Sequence, residues 1–106
     1  MDNKKRLRKK VLFISGKTED DKLIVGGFFK LVDGQGIHLA DILFYFNKND
    51  LIPDWLGFIQ DTKSHNWKFS SVLERIQHAC LDIYGKTHTD IVMKKILHQT
   101  THMKRN

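Results

Sequence analysis

The stretch 71–84 constrains the fold more than any other part of the chain. Val72, Ile76, Ala79 and Ile83 recur at i, i+4, i+7 and i+11, the spacing of one helical face. Leu73, Cys80 and Tyr84 widen that face, and Ser71 followed by Glu74 has the form of a capping box. Gly85 is a natural C-terminal stop. A helix of this kind must bury its apolar face against other elements, so the remaining sequence has to supply a core.

The spacing supplies it mainly with more helices. His38 to Asn47 carries Leu39, Ile42, Leu43, Phe44, Tyr45 and Phe46, apolar on nearly all sides, which suits a central buried helix. Asn47–Asp50 is a polar turn. Pro53 suits the first position of a further helix over 53–63, with Asp54 in its first turn and Ile52, Trp55, Leu56, Phe58 and Ile59 on its buried side. Thr87 or Thr89 caps a last helix whose apolar face is Ile91, Val92 and Ile96, with Met103 a further candidate, fraying after His98.

Residues 11–33 are less decided. Val11–Ile14 reads as a short extended segment ended by Ser15-Gly16. For 18–33 two readings compete. Thr18 can cap a helix with Asp20 and Asp21 in its first turn, and Leu23, Ile24, Phe28, Leu31 and Val32 suit a helical stripe. Gly26-Gly27 between two apolar groups is instead a hairpin signal. A lone hairpin is marginal, so the helix is preferred. The expected class is mainly α: a small irregular bundle of four to five helices, with or without a short N-terminal strand or hairpin.

Length and composition agree with one domain. The 106 residues are 41% hydrophobic and 28% charged, and a chain of this size folds without a metal or disulfide. Cys80 is the single cysteine, so no internal disulfide forms. No apolar run approaches ~18 residues, which excludes a membrane-spanning helix. Val11–Ile14 is too short for the core of a signal peptide, so the expected compartment is the cytoplasm.

The net charge of +6 is unevenly placed. Residues 1–10 hold six bases against one acid, and 91–106 hold four bases and no acid. The stretch between them is mildly acidic. The expected organisation is a flexible basic arm over 1–10 and a single helical domain over 11–106.

Each pattern that could carry chemistry is incomplete. Ser15-Gly16-Lys17-Thr18 resembles the end of a phosphate-binding loop, but Val11 stands where the leading glycine is required. His98 and His102 are spaced i, i+4, yet Gln99 follows His98 and no cysteine or acid completes a metal site nearby. Cys80 and His78 point apart on a helix. Asp50 and Asp54 lie across a turn, with Asp54 accounted for by its place at a helix start. Trp67 with His65, Lys63 and Lys68 makes a basic, aromatic loop able to stack a base, although packing beside Phe69 and Val72 explains Trp67 more simply. No catalytic residue, metal ligand or cofactor is therefore expected.

The basic ends remain. Lys4, Lys5, Arg6, Arg8, Lys9 and Lys10 can follow a phosphate backbone. Lys94, Lys95, His98, Gln99 and His102 form a polar stripe in which the lysines would meet phosphate and Gln99 a base edge. The expected function is a small non-enzymatic nucleic-acid-binding protein, DNA being the first choice, with no membrane association. The alternative is a protein-interaction module or homodimeric adaptor, should Phe44, Phe46, Trp55 and Phe58 of the aromatic-rich 42–59 region not all be buried. Size, basic arm and helical body are similar to the build of many small DNA-associated proteins of phages and mobile elements, a likeness that carries no site residue.

Overall fold

The computed structural model describes residues 9–104, and side chains over 10–101. Within them the chain is mostly helical, with five helices and a small three-stranded sheet. After a 3-10 turn at Lys9–Val11, β1 (Phe13–Lys17) and β2 (Leu23–Gly26) form an antiparallel hairpin. Helices α1 (Phe29–Asp33) and α2 (Leu39–Lys48) lead to β3 (Ile52–Pro53), which lies parallel to β2. Three helices follow: α3 (Trp55–Ser64), α4 (Phe69–Tyr84) and α5 (Lys86–Lys104).

The preferred helix over 18–33 is thus replaced by a hairpin and one short helix. The hairpin turn is not at Gly26-Gly27. It lies at Thr18–Lys22, where the Thr18 N–H donates to the Lys22 carbonyl at 2.8 Å and Asp21 adopts φ 69°. The Thr18 hydroxyl accepts from the Lys22 N–H and donates to Asp20. The side-chain chemistry that caps a helix here closes a turn. β1 also runs on through Ser15-Gly16, with a bulge between Ile14 and Gly16. Gly26-Gly27 instead joins β2 to α1. Gly27 has φ 90°, and a Cβ there would sit 2.2 Å from the Val11 carbonyl oxygen. The Phe13 ring rests against both glycines.

Phe28, just past this junction, organises the core. Its ring stacks on Phe58 at 5.0 Å and meets Phe46 and Trp55 edge-on at 5.4 and 5.6 Å. Around it Leu31, Ile42, Leu43, Val72, Ile76, Cys80 and Ile96 are fully or almost fully buried. Helix α4 packs chiefly on α2 and α5.

Helix boundaries require four corrections. Pro53 belongs to β3, and Asp54 is the N-cap of α3, its carboxylate accepting from the Gly57 N–H at 3.0 Å. Helix α4 starts at Phe69 with Lys68 as N-cap and no side-chain cap bond, so Ser71 and Glu74 form no capping box. Helix α5 starts at Lys86, directly after Gly85 with φ 88°, so neither Thr87 nor Thr89 caps it. It continues past His98 to Lys104. Among its described side chains the buried ones are Thr89, Ile96 and Thr100, whereas Ile91, assigned to the buried face, is exposed. The side chain of Met103 lies outside those described.

Candidate nucleic-acid interface

Thr89, Ile96 and Thr100 turn one side of α5 inward, and this orientation decides where the predicted polar residues fall. Lys94, Lys95, His98 and Gln99 are all exposed. They do not form one stripe. Successive residues are about 100° apart on a helix, so Lys94 and Lys95 flank the outward meridian. Lys95 and Gln99, one turn apart, line the edge of a cleft of about 730 Å³.

Opposite them the cleft is walled by Thr18 and Lys22 of the hairpin turn, by Asp50 to Pro53, and by Asp54 at the start of α3. Both acids are engaged. Asp50 pairs with Lys22 at 3.1 Å, and Asp54 caps α3. At the upstream end of α5, Lys86 is matched by Asp90 at 3.0 Å. Lys94 and Lys95 enter none of the ion pairs among the described residues.

Tyr84 and His88 complete the cleft. Their rings stack at 4.4 Å with an interplanar angle of 22°. The Tyr84 hydroxyl is buried without a hydrogen-bond partner. Burial, with a smaller contribution from Cys80, pushes its pKa up to about 12. Sequence reasoning missed Thr18 and Lys22 as neighbours of Lys95, because the hairpin turn reaches the last helix only through the sheet pairing. It also missed Tyr84 and His88, although His88 lies at i, i+7 to Lys95 on the same helix, a spacing that could have found it.

The arm fares differently. Lys4, Lys5, Arg6 and Arg8 lie outside the described residues, and Lys9 is described in its backbone alone. Lys10 is exposed in the 3-10 turn. It precedes the Phe13 end of β1, while Thr18 and Lys22 of the cleft follow the Lys17 end. A five-residue strand, roughly 17 Å at ~3.4 Å per residue, separates the two ends. Lys10 and Lys95 therefore do not share one cleft.

The weaker patterns resolve into ordinary structure. Lys17 is a strand residue 3.7 Å from Asp21, and Ser15-Gly16-Lys17-Thr18 leads into a hairpin turn, not a helix. Trp67 packs edge-on against Phe29 at 5.1 Å, and the Arg75 guanidinium lies 4.7 Å over its ring, so that ring is already used. Cys80 is fully buried, and desolvation pushes its thiol up to about 12. The side chain of His102 lies outside those described, and no cluster of three metal-ligating side chains occurs among the described residues. Of the 42–59 aromatics, Phe46, Trp55 and Phe58 are core, and Phe44 alone is exposed, with Lys48 5.9 Å from its ring. No helix among the described residues is long and apolar enough to cross a membrane. No protein-family model, curated protein or solved structure matches this chain.

Proposed function

We propose that this is a small non-enzymatic nucleic-acid-binding protein, acting in the cytoplasm, that lays the outer face of α5 along a phosphate backbone. One observation carries the reading: downstream of the Lys86–Asp90 pair, α5 presents Lys94 and Lys95 without an acid to neutralise them. Two cations one residue apart on a helix point to either side of its outward meridian, as phosphates flanking a groove require. Gln99 beside Lys95 offers a donor and an acceptor to a base edge. The arm over 1–10 adds cationic charge as a separate contact. Binding is mainly electrostatic and weakly sequence-selective.

A salt titration of duplex binding tests this with three proteins: the unaltered chain, Lys94→Ala with Lys95→Ala, and a chain lacking residues 1–10. The double substitution is expected to reduce the slope of log K against log salt by about 1.8, at ~0.9 per phosphate contact. Loss of the arm is expected to reduce it further. Slopes and affinities unchanged in both variants would overturn the proposal.

A further inference from the structure

Among the described residues the sheet has one open edge. Its strand order is β1-β2-β3, so β1 and β3 are the outer strands. β3 is two residues long and one of them is Pro53, which has no N–H to donate. β1 is five residues long, contains no proline and packs chiefly against β2. Its outer backbone groups therefore form a pairing template. Phe13 is 57% exposed and Ile14 61%. Consecutive strand residues point to opposite sides of a sheet, so β1 leaves an apolar side chain uncovered on each.

The charge at the two ends of β1 selects the occupant. Lys10, exposed, stands just before the strand, and Glu19, Asp20 and Asp21, all exposed, follow it in the turn. Lys17 at the end of the strand is matched by Asp21 at 3.7 Å, which leaves Glu19 and Asp20, so β1 is cationic at its start and net anionic at its finish. A parallel neighbour of the same kind would place like charges together. An antiparallel one places each cationic end beside an anionic end.

We propose that β1 pairs antiparallel, edge to edge, with β1 of a second copy of this chain about a two-fold axis at Ile14, just before the bulge at Ser15. Ser15 is the extra residue of the bulge, so Phe13 shares a face with Gly16 and Ile14 with Lys17. In that register the two Ile14 side chains lie side by side, Phe13 of one copy lies beside Gly16 of the other, and Lys10 falls toward Glu19. Both symmetric halves make the same contacts, so the surface is self-complementary. Because β3 offers no second edge, association stops at two copies. The interface is small, which places it among transient associations.

Sedimentation velocity from about 1 to about 300 µM tests this, with a dissociation constant expected on the order of 10–100 µM at low salt. Raising salt to about 500 mM is expected to weaken the dimer several-fold. Ile14→Lys is expected to give a monomer throughout with unchanged thermal unfolding, since the side chain is outside the core. Lys10→Glu is expected to weaken the dimer about fivefold, and adding Glu19→Lys to restore it. A monomer at every concentration, a species larger than a dimer, or a dimer indifferent to Ile14→Lys would each overturn the proposal. Failure of the charge exchange to restore association would overturn the antiparallel register.

Discussion

Helices α4 and α5 are consecutive, joined at Gly85 alone, and they are held in different ways. Helix α4 buries Val72, Ile76, Ala79 and Cys80, an unbroken apolar seam. Helix α5 is three residues longer, yet among its described side chains Ile96 is the one fully buried hydrophobic residue, flanked by Thr89 and Thr100. Both threonine hydroxyls donate within their own chain segment, to the carbonyls of Gly85 at 2.7 Å and Ile96 at 2.8 Å. Helix α4 is therefore core by composition. Helix α5 is a polar rod fastened at its middle, and its free perimeter is what makes Lys94, Lys95 and Gln99 available for contact.

Truncation at the two anchors separates these modes most strongly. Ile76→Ala should cost about 3–4 kcal/mol and lower the unfolding transition of the whole domain as one step. Ile96→Ala should cost about 2–3 kcal/mol, but with a different signature. Amides of α5 should lose hydrogen-exchange protection before those of α4, because no other large apolar side chain among those described on α5 is fully buried. Uniform loss of protection across both helices in Ile96→Ala would show that α5 is as integral to the core as α4.

Alkaline pH probes the sealed side of the same pair. The Cys80 thiol on α4 ionises near 9 when exposed and is pushed up to about 12 by burial in the fold. Between those values the unfolded chain releases a proton that the folded chain keeps. Stability is therefore flat below about pH 9 and falls as pH rises toward 12, by at most ~1.4 kcal/mol per unit for this group. Tyr84, raised from 10 to about 12, adds to the fall from its own lower limit upward. Urea melts across this range check it, and Cys80→Ala should flatten the earlier part of the decline. At neutral pH the thiol should resist alkylation until the protein unfolds.

The contrast also explains which parts of the fold were readable beforehand. Helix α4 and its Gly85 stop were legible because large apolar residues and a glycine mark them directly. So were the buried side of α2 and the core role of Trp55 and Phe58. The hairpin was not. Thr18, Asp20 and Asp21 close a turn with the same hydroxyl and carboxylate bonds that begin a helix, and Leu23–Phe29 is apolar enough for either reading. Ser71 and Glu74 show the converse, a capping pattern that the chain leaves unused because Phe69 is already helical. On α5 the rotation was misjudged at Ile91, since pattern reading scores threonine as polar while Thr89 and Thr100 are buried. The basic residues of α5 were identified by charge alone. Their separation onto two sides of the helix follows from the rotation set by Thr89, Ile96 and Thr100, whereas the cleft shared with Lys22 depends on sheet pairing that no local pattern encodes.

The smallest expected effect settles what those threonines do. The Ile96 carbonyl accepts the backbone bond of its own helix as well as the Thr100 hydroxyl, so the hydroxyl bond is supplementary. Thr100→Val keeps the branched shape and removes the donor with no buried group left unpaired. It also places a buried methyl where the hydroxyl was, beside the Ile96 carbonyl. The balance should lie between neutral and about 1 kcal/mol stabilising, read from urea melts at neutral pH. A loss above ~1.5 kcal/mol would mean that the hydroxyl serves a partner beyond its own helix. In that event α5 is anchored by polar tertiary contacts as well as by Ile96, and the early loss of protection expected in Ile96→Ala should shrink in proportion.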